Sequence, residues 1–426
     1  NEGIADFYSI IEQIKKYGFL QAELDKSKEE IIERLKQFKL AEETRSSYSF
    51  VREYTRHFTE DEMISGPEKY LEYTKDILPT ITLEDINGYF NNYIKNENQV
   101  LEVRGPEIVG NLPNQEQINE IKYQVSLKNI EPYEYEIKKV ELIKEELKGS
   151  KIIKTRFYPN SDIKKITLEN GAKVYLKKTD FKKDQIIFKA FSPGGYSTAS
   201  MNILPSAEYA DSILSSADIG ELTVPEKNEL YPTNMLGIYP EIYELSENIS
   251  GYTNNAYKED FFKLMYLNFT DLRVKQHHVD NFKDRNIDEL KIEKESPKYE
   301  FLVEFYNKFY NNNERTAYPT IRNYEKINLK DVQEFYKDRF QNSGDFIFAI
   351  VGDFRFEEIE PFILKYIGSL KFKNHKDNFK DQNIRINLSK ETVRYEEENP
   401  VKALVGRYYN KEFNYSIWKP RPIGDY

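Results

Sequence analysis

Hydrophobic and polar positions over residues 327–354 fall into a helix followed by a strand. Val332, Phe335, Tyr336 and Phe340 recur at helical spacing on one face. Asn328 stands where an N-cap is wanted, because its short side chain can accept from the free amide of Asp331. Residues 341–345 carry turn chemistry, with Gly344 able to take a positive φ. Residues 346–351 are an apolar run too short for a helix, which suits a covered strand.

The same pattern occurs earlier. Ile81, Leu83, Asp85, Ile86, Tyr89 and Phe90 match Ile327, Leu329, Asp331, Val332, Phe335 and Tyr336 at a constant offset of 246 residues. One extra residue in the later loop brings Gly105 onto Gly352. So long a period implies two copies of a domain-sized unit and excludes a solenoid. Each copy is expected to pack the aromatic face of its helix on the strand that follows.

Elsewhere, residues 4–17 and 21–58 read as helices, the second with a stripe of Leu24, Ile31, Ile32, Leu35 and Phe38. Pro67 suits the first turn of another helix through residue 78. The stretch 107–165 alternates charges with Pro113, Pro132 and Pro159 and reads as a charged interdomain linker. Residues 165–168 and 173–176 alternate around Asn170-Gly171, which predicts a hairpin with a type I′ turn. A strand over 185–191 ends in Ser192-Pro193-Gly194-Gly195, and a helix is expected from Ser206 to Ser216. Strand and helix character alternate over 239–250 and 261–269, and helices follow at 280–292, 297–310 and 356–367. Two strands of a further domain are expected over 384–416, and residues 417–426 fit no pattern.

Composition narrows the classes. The 426 residues are 31% charged and 39% hydrophobic, as in a soluble globular chain of two or more domains. No apolar run reaches the roughly 18 residues of a membrane helix, and the first residues show no signal-peptide pattern. The chain opens in an amphipathic helix, which suggests a piece of something longer. Interspersed charges with a net −10 argue against nucleic acid as a partner. The absence of cysteine excludes disulfides and thiolate metal sites and fits either cytoplasm or periplasm. The 33 Tyr and 27 Phe fit core packing, with a sugar-binding module as the competing reading.

Motif order adds a family resemblance. An Asn-Gly hairpin, a strand region with Asp180, Phe181, Lys182 and Asp184, a strand ending in Ser192-x-Gly194-Gly195, and a helix come first. The 327–354 unit and a close built on Tyr366, Gly368, Ser369 and Leu370 follow. This order resembles the insulinase-like, or pitrilysin-like, M16 zinc metallopeptidases, specifically the long bacterial two-half enzymes. By that resemblance, residues 1–106 are the later part of a second domain and 166–375 a complete third domain. Residues 384–416 then open a fourth. The implied fold is α+β, with repeated domains of mostly antiparallel sheet covered on one face by helices.

The family binds zinc through an inverted H-x-x-E-H helix, whose Glu activates the bound water. This chain has His57, His277, His278 and His375, none in that motif. The corresponding helix, residues 205–213, offers Ala207, Glu208 and Asp211 and no imidazole. The resemblance therefore implies a degenerate copy of the catalytic domain, with no catalytic residue, no metal ligand and no bound zinc. Zinc would belong to the parent enzyme, in a catalytic M16 domain in cis or on a separate subunit. His277-His278 with Asp280 is a poor chelate, because adjacent helical residues point about 100° apart. The turn Ser192, Gly194 and Gly195 could present backbone to a peptide. The implied function is a non-catalytic portion that forms chamber wall and binds peptide or unfolded protein, with no membrane partner. The alternative is a degenerate scaffold or partner subunit without peptidase activity.

Overall fold

In this computed structural model the described residues are 2–95, 99–103, 112–134, 140–372, 378–389 and 393. The N-terminal part is helical: α1 (Glu2–Tyr17), α2 (Gln21–Leu40), α3 (Ser47–Glu60), α4 (Gly66–Ile77), α5 (Leu83–Tyr93) and α6 (Gln115–Ser126). The long helix expected over 21–58 is two helices. It breaks after Leu40, and Ser46 restarts it by accepting from Ser49 N–H. Few side chains here are buried; Leu35, Leu71, Leu78, Ile118 and Val125 are among them.

A seven-stranded sheet follows. Its strands are β1 (Ile152–Tyr158), β2 (Ile163–Leu168), β3 (Lys173–Lys178), β4 (Ile186–Pro193), β6 (Gly237–Ile242), β7 (Ser246–Thr253) and β9 (Ile347–Gly352). The order is β1-β2-β3-β9-β4-β7-β6, antiparallel except where β3 pairs with β9. The small strands β5 (Asp218–Ile219) and β8 (Leu272–Arg273) pair separately. β1 lies within the stretch that reads as linker, and Gly149 and Ser150 before it dock on the chain near Leu364 and Ser369.

The hairpin between β2 and β3 forms, with a different turn. Gly171 N–H bonds Leu168 O at 2.9 Å, and only Gly171 takes positive φ, so the turn is not type I′. Asn170 keeps ordinary backbone geometry and turns its amide onto the carbonyls of Ile367 and Gly368, both at 3.0 Å. That long-range bond ties the hairpin to the end of the domain.

Helices cover one face: α7 (Leu204–Glu208), α8 (Ala210–Leu214), α10 (Lys258–Thr270), α11 (Gln276–Lys294), α13 (Ile321–Lys326), α14 (Leu329–Phe340) and α15 (Phe356–Tyr366). Two more, α9 (Val224–Leu230) and α12 (Pro297–Phe309), complete the set. α14 starts as expected: Asn328 accepts from Asp331 N–H at 3.0 Å, and Val332, Phe335, Tyr336 and Phe340 are all buried. They meet an aromatic core in which Phe269 stands edge-on to Phe346 at 5.0 Å.

β9 is central but covered on one face only. Phe348 and Ile350 are fully buried against the helices, whereas Ile347 is 42% exposed on the other side. This matches the expected sheet covered on one face by helices, with the other face open. Gly344 does not carry the positive φ. That falls on Gly352, where a Cβ would stand 2.1 Å from Gln185 O, so only glycine fits.

In the first copy, α5 forms but no strand follows over residues 99–103, and Gly105 lies outside the described residues. Tyr89 is 69% exposed where its counterpart Phe335 is 5%. The segment from Ile384 is likewise no strand as far as residue 389. It lies against the end of α12, with Asn387 N–H bonding Phe309 O at 2.7 Å. The remaining residues of that expected pair, apart from 393, lie outside the described ones.

Candidate functional site

Two places bear on function: the sheet's open face and the helix after Gly194-Gly195. β4 alternates strictly. Ile186, Phe188 and Ala190 point into the core, while Ile187 and Phe191 are exposed, at 51% and 42%. Register places Ile347 opposite Phe191, and Tyr239 lies on the same exposed side. The open face therefore carries apolar and aromatic side chains in water, with Lys189 between Ile187 and Phe191.

The Ser192-Pro193-Gly194-Gly195 turn is closed in on itself. Ser192, Gly194 and Gly195 are all buried. Gly194 N–H bonds Leu245 O at 2.9 Å, and Gly195 N–H bonds the Glu247 carboxylate at 2.6 Å. A Cβ on Gly195 would come within 2.1 Å of Tyr243 O. The turn's amides are thus used internally, and its glycines permit close backbone approach.

The expected helix over 206–216 is two short ones, α7 and α8, broken at Tyr209 with φ −101° and ψ 9°. Ala207 and Ala210 are fully buried, so small residues let this segment lie close on the core. Ser206 Oγ accepts from Asn328 N–H at 3.2 Å, which fixes the start of α14.

Glu208 and Asp211 are not brought together as an acid pair. Asp211 accepts from Ser212 N–H at 2.7 Å; burial raises its carboxyl, and the Ser212 bonds oppose this. Glu208 instead faces a cavity of about 480 Å³. Burial pushes its carboxyl up to about 7, against the pull of the Arg315 guanidinium. Arg315 donates to Tyr196 O at 2.7 Å and Ala199 O at 3.0 Å. Glu244, Glu289 and Glu293 also line the cavity, and Tyr318 OH donates to Glu293 at 2.7 Å.

The histidines are elsewhere. His278 is buried at the start of α11, where its Nδ1 accepts from Lys275 N–H at 3.1 Å, and burial lowers its pKa. Its ring lies against His277, not against a shared centre with Asp280. His57 is exposed, and His375 lies outside the described residues. Among the described residues, no group of three His, Asp or Glu side chains could hold a metal ion. The α7–α8 segment does not fit the family's zinc, because it supplies carboxylates and no imidazole nitrogen.

Sequence reasoning missed Arg315, Glu289, Glu293 and Tyr318. They come from a loop and a helix far along the chain from Glu208, so no local spacing marks them.

Comparison with known proteins agrees with this architecture. The family model described as the peptidase M16 inactive domain matches residues 326–409. A zinc protease PQQL-like protein of Arabidopsis thaliana is 22% identical over 363 residues, covering 85% of this chain and 36% of the relative. The crystal structure of the periplasmic protease PqqL from Escherichia coli superposes with a TM-score of 0.53 at 18% identity, over 88% of this chain and 42% of that one. The ferredoxin protease FusC, solved in complex with Arabidopsis ferredoxin, gives 0.52 at 16% identity, over 89% and 42%. The chain thus spans less than half the length of these proteins. Residues 326–409 thus match the M16 inactive domain, and the chain as a whole shares the fold of these proteases.

Proposed function

We propose that this chain is the non-catalytic portion of an M16-type zinc metalloendopeptidase. It forms chamber wall and offers a surface to peptide or unfolded protein, while a zinc-bearing domain outside this sequence performs hydrolysis. The carrying observation is the α7–α8 segment: it keeps its place between β4 and α14 yet has no nitrogen ligand for zinc. The open sheet face supports the second half of the reading. Exposed Ile187, Phe191 and Ile347, with Tyr239 two strands away, give that face apolar side chains that an extended chain can cover. This portion binds no zinc of its own.

The test is reconstitution. The catalytic domain of the parent enzyme, with and without this chain, is assayed on unfolded protein, and the chain alone is assayed for zinc and for hydrolysis. Activity that needs both parts, with metal confined to the catalytic one, supports the reading. Hydrolysis by this chain alone, or a catalytic domain indifferent to its presence, sinks it; the second outcome favours a scaffold. Phe191→Asp should weaken capture of unfolded protein while leaving the fold intact.

A further inference from the structure

The cavity at Glu208 has no part in that reading, yet its lining is specific. Among the described residues, Glu208, Glu244, Glu289 and Glu293 line it with one cation, Arg315. Both terminal nitrogens of that guanidinium already donate to backbone carbonyls. Among the described residues no donor reaches the Glu208 carboxylate. Phenol rings of Tyr306, Tyr310 and Tyr324 supply part of the wall. A part-buried carboxylate with no donor is costly to ionise unless a cation joins it, and otherwise keeps its proton; ring faces favour a soft, partly desolvated cation over water. A metal ion suits the site poorly, since no three carboxylates converge.

We propose that this cavity binds a protonated alkylamine, either a lysine side chain of an extended peptide or a free polyamine. The ammonium sits against Glu208, and the alkyl stem lies along the tyrosine rings. Glu289, exposed at the mouth, adds a weaker attraction. The peptide source rests on the chamber-wall reading above; the polyamine source does not.

Isothermal titration of the full 426-residue chain tests this. The probes are spermidine, an extended peptide with one lysine, and the same peptide with norleucine in its place. Saturable one-to-one binding is expected, at least tenfold weaker in Glu208→Gln and about threefold weaker in Glu289→Gln. Glu334→Gln, on the exposed side of α14, should change nothing. Because Glu289 is exposed, its variant keeps the test valid if Glu208→Gln folds poorly. Binding of the lysine peptide over the norleucine peptide identifies peptide as the source, whatever spermidine does. Binding of spermidine alone identifies a polyamine and leaves the chamber-wall reading to its own test. No binding of either probe, or equal loss in Glu208→Gln and Glu334→Gln, overturns the proposal, the latter by revealing a diffuse effect of acidic surface.

Discussion

The two copies of the helix unit share a pattern and differ in burial. α5 and α14 both begin with a side-chain cap, and both place an aromatic pair at matching positions. In the second copy, Phe335 and Tyr336 are buried in the core of the sheet-bearing domain, and Tyr336 OH donates to Asn268 O. In the first copy, Tyr89 stacks on Tyr93 in the open, with ring centroids 5.8 Å apart, and Val100 is 95% exposed. The helix is therefore specified locally, whereas the value of its aromatic face depends on whether a sheet is present to receive it.

The largest expected effect tests that dependence. Phe335→Ala should destabilise the sheet-bearing domain by about 3–5 kcal/mol, by loss of transfer free energy and creation of a cavity. A denaturant melt unchanged by this substitution would refute the packing. The expectation that Tyr89 behaves like Phe335 fails in this structure, so Tyr89→Ala forms the opposite arm, discussed last.

Next in size is a pH effect confined to the second copy's neighbourhood. Glu208 holds its proton up to about 7, whereas the unfolded carboxyl ionises near 4.5. Between those values the unfolded state binds fewer protons, so stability falls as pH rises. The full cost persists above about 7 and is absent below about 4.5. Groups facing it include Arg315, Glu244, Glu289, Glu293, Tyr196, Tyr209 and Tyr324. Glu208→Gln should therefore stabilise the domain at pH 8 by about 1–2 kcal/mol, after allowance for partial exposure, and by almost nothing at pH 4. Melts at both values check this; a variant less stable than the parent at pH 8 contradicts it.

The caps give a smaller and more telling contrast. Asn328→Ala should lower global stability of the sheet-bearing domain by about 1 kcal/mol, since its helix is part of the core. Thr82→Ala removes a comparable cap, including the bond from Asp85 N–H at 3.1 Å. Its effect should appear as faster amide exchange in α5 with an unchanged global melt. Equal global shifts from both would show that the first copy is as well integrated as the second.

Smallest of all, Tyr89→Ala should change stability by less than about 0.5 kcal/mol in this chain, as for an exposed surface site. A loss near that of Phe335→Ala would mean that the face is covered in solution.

The sequence by itself determined the local grammar. Asn328 and its partner Asp331, the apolar face of α14, the Asn170-Gly171 hairpin and the alternation in β4 follow from period and cap chemistry within a few residues. The family resemblance was legible for the same reason, since it rests on the order of such local signals, and the missing imidazoles could be read directly. Tertiary structure decided everything that depends on a distant partner. Whether residues 346–351 are covered once or twice depends on how many layers pack on the sheet, which no single strand encodes. Whether Tyr89 or Phe335 is buried depends on the presence of a sheet. Asn170 turns away from the I′ geometry because carbonyls nearly two hundred residues later are there to receive it. The Glu208 cavity is the extreme case: Glu208, Glu289 and Arg315 converge only when α7, α11 and the loop after α12 are folded together, and burial, which local sequence does not report, then sets the charge of the site.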